Sequence, residues 1–325
     1  MLHLPDHWVW DSWYVHDGQQ HHAFFLRASR ALHDPDRRHA RASIGHAASP
    51  DLRSWTLLPD ALVPADHGAW DDLATWTGSV LRGPDGRWYL FYTGVSRSDP
   101  TLVQRIGLAV SDDLVHWQRH GTQPLLEADP RWYEKSSPDT PREEAWRDPW
   151  VFPDPDGDGW HMLITARAAS GDPAERGVIG HAHSRDLLTW EVRPPLSRPA
   201  GFWHLEVPQV AVVDGQQLLI FCCMPAELAP QRRAAAVEGG MWAVPIDHPA
   251  GPFDMGQARP FEHSSLYAAR LVDDNGTPAL IGFRNVENGR FVGELTDPIP
   301  VRFDPEHGLV HAEPSEKAAA AGKTA

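Results

Sequence analysis

The sequence predicts an all-β fold: a five-bladed β-propeller occupying one domain. Three observations predict it. A tight-turn dipeptide followed by an apolar run occurs five times. A twelve-residue pattern occurs three times. Helical periodicity is nearly absent from a chain with 30 prolines, a residue that helix interiors and central strands both exclude.

The five turn units come in order. Asp17-Gly18 precedes His22-Ala23-Phe24-Phe25-Leu26, and Asp85-Gly86 precedes Trp88-Tyr89-Leu90-Phe91-Tyr92. Asp158-Gly159 precedes Trp160-His161-Met162-Leu163-Ile164. Asp214-Gly215 precedes Leu218-Leu219-Ile220-Phe221, and Asn275-Gly276 precedes Ala279-Leu280-Ile281-Gly282-Phe283. Asp-Gly and Asn-Gly are strong short-range hairpin signals. Five such units at intervals of roughly 55 to 75 residues leave room for several short strands each, the mark of a propeller and not of a sandwich.

The second repeat is I-G-x-A-x-S-x-D-L-x-x-W, at residues 44–55, 106–117 and 179–190. It reads as a strand, a turn at Ser-x-Asp in which the carboxylate bonds nearby backbone, and a further strand starting at the Trp. Residues 129–144 and 226–240 read as long loops, the places where a propeller face gains specificity. Residues 1–313 form the predicted propeller and 314–325 an Ala/Lys/Glu-rich disordered tail.

Composition narrows the function classes. Of 325 residues 42% are hydrophobic and 15 are Trp, so the chain can bury a core, and most of the Trp are expected in it. A formal charge of −15 argues against nucleic-acid binding, which needs a clustered basic face. The two cysteines, Cys222 and Cys223, are adjacent on a strand-like run and so point to opposite faces. They are expected as free buried thiols, which fits a reducing compartment. No signal peptide or membrane-spanning run is visible, and a cytoplasmic protein without membrane partners is the expectation.

The 19 histidines show no metal-ligand spacing, and no cofactor motif is present. Asp154-Pro155-Asp156-Gly157-Asp158-Gly159 has the flavour of a calcium loop. The position requiring a bidentate Glu is occupied by Thr165, so the stretch reads as a hairpin turn.

Three acids stand out because each is embedded in aromatic or apolar residues. Asp11 lies in Trp8-Val9-Trp10-Asp11-Ser12-Trp13. Asp148 lies in Trp146-Arg147-Asp148-Pro149-Trp150, and Glu206 in Leu205-Glu206-Val207-Pro208 just after Phe202-Trp203-His204. Solvated acids are normally scattered among polar residues. Each of these falls at the start of the strand preceding a tight turn, so equivalent blade positions would bring all three to one end of the central channel.

These motifs resemble glycoside hydrolase families 32 and 68. Trp10-Asp11-Ser12-Trp13 is similar to the nucleophile motif of family 68. Trp76-Thr77-Gly78-Ser79 with Phe91-Tyr92-Thr93-Gly94 resembles segments common to both families, as does Arg147-Asp148-Pro149. Glu206-Val207-Pro208 is similar to the E-C-P motif of family 32, and Ser265-Leu266-Tyr267-Ala268 to a late segment of that family. The Asn-Asp-Pro start of family 32 and its C-terminal β-sandwich have no counterpart here.

The resemblance implies a retaining β-fructofuranosidase acting on sucrose or fructo-oligosaccharides, with a small carbohydrate as partner. Asp11 is then the nucleophile, Glu206 the acid/base at about 5 Å, and Asp148 the carboxylate that holds sugar hydroxyls. The implied substrate-binding set is Trp10, Trp76, Ser79, Arg147, His204, Gln209 and Tyr267. The apolar neighbours of Glu206 predict a raised pKa. Competing readings are a levansucrase-type fructosyltransferase, an inverting arabinan- or xylan-active propeller, and a non-catalytic sugar-binding propeller.

Overall fold

A computed structural model describes residues 1–137, 143–234 and 239–312. The predicted tail lies outside the described residues, as do parts of both long loops.

Five antiparallel sheets follow one another along the chain. The first joins β1 (His7–His16), β2 (His21–Ser29), β3 (Ser43–Ser49) and β4 (Thr56–Leu62). The second begins with β5 (Ala74–Arg82) and β6 (Trp88–Val95). After the short β7 (Leu102–Val103) it continues with β8 (Arg105–Ser111) and β9 (Gln118–Arg119). The short β10 (Glu143–Glu144) then pairs in parallel with β7, which pins the end of the first long loop.

Blade three holds β11 (Trp146–Pro153), β12 (Trp160–Arg167), β13 (Gly177–Ser184) and β14 (Trp190–Arg193). Blade four holds β15 (Glu206–Val213), β16 (Gln216–Cys222), β17 (Met241–Pro245) and β18 (Arg259–Pro260). Blade five starts with β19 (Leu266–Asp274) and β20 (Thr277–Glu287). The eleven-residue β20 pairs with β21 (Arg290–Leu295) at one end and β22 (Ile299–Asp304) at the other, and β23 (Gly308–His311) completes the blade.

The predicted turns close the inner hairpin of every blade. Asp214-Gly215 and Asn275-Gly276 have positive φ at both residues, +50° and +81°, then +55° and +86°. That is the mirror-image turn whose twist matches the flanking strands. The three-fold repeat is also one local structure. Asp51, Asp113 and Asp186 each accept backbone N–H bonds from residues two and three further on. The following Leu52, Leu114 and Leu187 are left-handed, at φ 60°, 66° and 66°. Trp117 and Trp190 bond back to the carbonyls of Leu114 and Leu187.

Strand side chains alternate between faces, and each blade lies between two others, so both faces are buried. Ile164 and Val178 of blade three pack with Phe91 and Leu108 of blade two, while their neighbours Leu163 and Ile179 pack with Leu219 and Phe221 of blade four. This explains continuous apolar runs where a half-solvated sheet would alternate. None of the fifteen tryptophans is exposed, and seven are buried. Cys222 and Cys223 are free and pack into different clusters, as opposite-facing neighbours must.

The innermost strands β1, β5, β11, β15 and β19 pack in a closed ring, β1 meeting both β5 and β19. Every one of them breaks register at the same level. The interruptions fall at Trp10/Ser12, Trp76/Gly78, Arg147/Trp150, Glu206/Gln209 and Tyr267/Arg270. Bulges re-aim side chains, and five in a ring turn one end of the channel into a shaped pocket.

Candidate active site

The bulges set two stacked tiers of side chains. The last paired residues before them are Trp10, Trp76, Arg147, Glu206 and Tyr267; the next residues are Asp11, Thr77, Asp148, Val207 and Ala268. All of these except Ala268 line one cavity of about 560 Å³. The three acids therefore meet as predicted, with one correction. Asp11 and Asp148 sit on the bulges, but Glu206 sits one residue earlier, in register with Arg147 and Tyr267. It enters from the adjoining tier.

The tiers are tied together by polar contacts. Thr77 Oγ1 donates to Asp11 Oδ2. Asp148 Oδ2 accepts from Thr165 Oγ1 at 2.8 Å and from the Val207 N–H at 3.1 Å. The Asp148 N–H donates to Thr93 Oγ1 at 3.0 Å, and that hydroxyl donates to the Thr77 carbonyl, joining the bulges of blades two and three. Asp148 and Val207 are left-handed, at φ 58° and 51°. Such strain is held only where the surroundings fix it, and here the backbone of one bulge bonds the side chain of the next. Buried Arg270 adds a clamp from blade five, donating to the Pro208 carbonyl at 2.6 Å.

Arg147 links the carboxylates. Its Nη2 is 2.7 Å from Glu206 Oε1, its Nε 3.6 Å from Asp148 Oδ2, and its Nη1 3.4 Å from Glu143 Oε1. The Tyr267 hydroxyl donates to Glu206 Oε2. Trp76 Nε1 donates to the His39 carbonyl at 2.8 Å, and the His39 ring stands edge-on between Trp10 and Trp76. His204 is buried on the wall, its Nε2 3.1 Å from Glu143 Oε1.

The acids differ sharply in their protonation. Burial, with the Asp148 carboxylate beside it, pushes Asp11 up to about 7, against the opposing bond from Thr77. Burial also raises Asp148; Arg147 opposes and Glu206 adds to the rise. Burial alone would raise Glu206, but the Arg147 guanidinium outweighs it with help from His204 and the Tyr267 hydroxyl, and the net direction is downward. The raised value predicted for Glu206 is thus corrected. Val207 does line the cavity beside it, but the largest opposing effect comes from Arg147 on another blade. Glu227 on the rim is pushed up to about 7 by burial and by Glu206.

Two nominated residues do not reach the cavity. Ser79 is buried between blades, where Oγ accepts the Val151 N–H at 3.3 Å. Gln209 stitches blade four to blade five through the backbone of Leu271, its Oε1 accepting at 2.9 Å. Both lie past their bulges, on the straight part of the strand. The cavity instead includes Arg38, His39, Glu143, Glu227 and Asn285, which were not nominated. Glu143 and Glu227 belong to the two long loops marked as specificity-bearing. Arg38 lies over Trp10 from a 3₁₀ segment that no motif flags. The described residues that could share a metal ion (Asp154, His161 and His183) lie outside this cavity, on blade three.

Residues 12–289 match the glycosyl hydrolases family 32 N-terminal domain. The chain belongs to glycosyl hydrolase family 32. An insoluble β-fructofuranosidase isoenzyme of Oryza sativa is 29% identical over 181 residues, covering 53% of this chain and 27% of the relative. A sucrose-6-phosphate hydrolase of Zymomonas mobilis is 26% identical over 259 residues, covering 74% of this family 32 chain and 46% of the relative. The chain thus spans less than half the length of either. Among solved structures, the inulosucrase from Halalkalicoccus jeotgali bound to kestose superposes with a TM-score of 0.76 at 23% identity, over 96% of this chain and 91% of that one. The Bombyx mori family 32 β-fructofuranosidase superposes at 0.73 and 19% identity, over 97% and 64%. At these identities the superpositions establish the propeller.

Proposed function

We propose that this chain is a retaining glycoside hydrolase that removes terminal β-fructofuranosyl residues from sucrose or short fructo-oligosaccharides. The observation carrying the proposal is that Asp11, Asp148 and Glu206, from three blades, share one cavity walled by Trp10 and Trp76 and bridged by Arg147. Relatives described as β-fructofuranosidase and sucrose-6-phosphate hydrolase support the substrate class.

The steps follow from the positions. Asp11 attacks the anomeric carbon of the fructosyl ring while Glu206 gives its proton to the leaving oxygen. The glycosidic bond breaks and an ester to Asp11 forms. Glu206, now basic, takes a proton from water, which opens the ester with net retention. Asp148 accepts hydrogen bonds from sugar hydroxyls that tighten as positive charge develops.

The free site must redistribute a proton to do this. Asp11 and Asp148 are raised and Glu206 is lowered, so the free site favours a proton on the aspartates over one on Glu206. Bound substrate favours the working arrangement. The electron-poor anomeric carbon stabilises ionised Asp11, and the leaving oxygen offers an acceptor to protonated Glu206.

The test is product analysis on sucrose, raffinose, inulin, levan and an aryl arabinofuranoside. Fructose released with retained configuration supports the reading. Fructosyl transfer to sugar as the main outcome assigns the transferase alternative. Activity confined to the arabinofuranoside, or inverted product, overturns the proposal.

A further inference from the structure

We propose that the β11–β12 turn end of blade three carries a divalent transition-metal site formed by Asp154, His161 and His183. Their ligand atoms lie within 4.8 Å of one another. Asp154 Oδ2 is 3.4 Å from His161 Nε2 and 3.4 Å from His183 Nε2. Zinc bonds to nitrogen and carboxylate oxygen at about 2.0–2.2 Å, so tetrahedral ligands stand roughly 3.3 Å apart. The two carboxylate–imidazole distances already have that value. Two imidazoles and one carboxylate suit zinc and its borderline neighbours, not calcium or magnesium.

The ligands are also held from behind. His161 Nδ1 is 2.8 Å from His181 Nε2, so its Nε2 is the nitrogen left facing Asp154. The Phe152 ring lies near-parallel to the His161 ring, centroids 5.5 Å apart, while His181 meets it edge to edge through that contact. Asp154 Oδ1 accepts the Asp156 N–H at 2.9 Å, which leaves Oδ2 for the imidazoles. Partners of this kind fix tautomer and orientation in metal sites. Gly159, at φ 126°, leaves open the space beside His183 Nε2: a Cβ there would stand 3.2 Å from it. Side-chain exposures of 17% for Asp154, 8% for His161 and 12% for His183 leave the cluster reachable from solvent.

Blade one supplies the comparison. It carries the same chain of groups, with His22 Nε2 3.3 Å from Asp17 Oδ2 and His22 Nδ1 2.9 Å from His46 Nε2. His46-Ala47-Ala48 aligns with His181-Ala182-His183 in the repeat, and Ala48 pairs with His22 as His183 pairs with His161. The Asp–His–His chain is therefore shared by blades one and three, present in blade one without a third ligand, while blade two has Leu108 at the matching place. Only blade three adds the second imidazole facing the carboxylate. The site is separate from the sugar cavity: His161 is four residues from Thr165, the partner of Asp148, or about 13 Å along the strand.

The experiment uses the full chain, stripped with chelator and titrated with zinc chloride by calorimetry. Thermal unfolding with and without zinc is recorded in parallel. Wild type is expected to bind one equivalent that is lost in His183→Ala, with affinity down more than about 100-fold, and lost likewise in Asp154→Asn. Zinc should raise the unfolding temperature of wild type and of neither variant. His183→Ala recreates the blade-one arrangement and should fold and hydrolyse substrate as wild type does. Should that variant fail to fold, Asp154→Asn alone decides. Absence of zinc binding in wild type, or binding unchanged in the folded variants, overturns the proposal.

Discussion

Tyr267→Phe should move the acid limb of the pH–rate profile upward, the limb set in the free enzyme by the lower-titrating Glu206 while the raised Asp11 sets the other. The Tyr267 hydroxyl donates to Glu206 Oε2, and the ring packs edge-on against Phe283 at 5.8 Å, so Phe keeps the packing and removes one donor. A hydrogen bond to a charged group is worth about 1.5–3 kcal/mol. At about 1.4 kcal/mol per pKa unit, losing it from the anion raises the carboxyl by about 1–2 units. Arg147 remains at 2.7 Å and the three carboxyls titrate together, so about one unit is expected in the observed profile. The sign is fixed: Glu206 lies below its ordinary value because its anion is bonded, and removing a bond lets it keep its proton to higher pH. The assay is kcat/KM for sucrose across pH, with Tyr267→Phe beside wild type. An unmoved limb, or one displaced to lower pH, would refute the claim that Tyr267 acts on the charge of Glu206.

Other substitutions follow from the same geometry. Asp11→Asn should abolish turnover of sucrose, loss below about a hundredth of wild-type kcat being the threshold. It should also stabilise the fold at alkaline pH. A carboxyl raised to about 7 favours folding below its unfolded value near 4 and loses that contribution as pH rises through 7. The amide lacks this loss, so melting at pH 8 should favour the variant by about 1–2 kcal/mol, discounted because the cavity admits water, and the gap should close by pH 4. Asp148→Asn should lower kcat with little change in KM, since on the proposed mechanism its bonds to sugar strengthen in the transition state. Ser79→Ala should leave kcat/KM within about two-fold and cost about 1 kcal/mol in denaturant unfolding, because its hydroxyl serves a backbone N–H between blades.

What the sequence made legible was local. The inner hairpins were readable because Asp-Gly and Asn-Gly encode a turn within two residues, and the Ser-x-Asp-Leu turn because its bonds close within five. The acids were readable because each sits among aromatics. Effects arriving from other blades were not. Nothing near Glu206 in sequence announces Arg147 and Tyr267, which help to set its charge from 59 and 61 residues away. Ser79 and Gln209 belong to the right strands but stand past the bulges, and bulge position cannot be read from an apolar run. Glu143 and Glu227 reach the cavity from loops whose placement depends on long-range pairing, as between β7 and β10. The Asp154–His161–His183 cluster has no spacing signature because its members come from a turn and two strands. Thr165, which argued against a calcium loop there, is a partner of Asp148.

Trapping the covalent intermediate tests the role of Asp11 most directly. Glu206→Ala incubated with an activated aryl fructoside should form the ester and hydrolyse it slowly, because the leaving group needs no acid but water lacks its base. Intact-protein mass spectrometry after an acid quench should show the mass of one fructosyl residue added, and peptide mapping should place it on Asp11. An adduct on a different residue, or turnover without any adduct and with inverted product, would contradict the account.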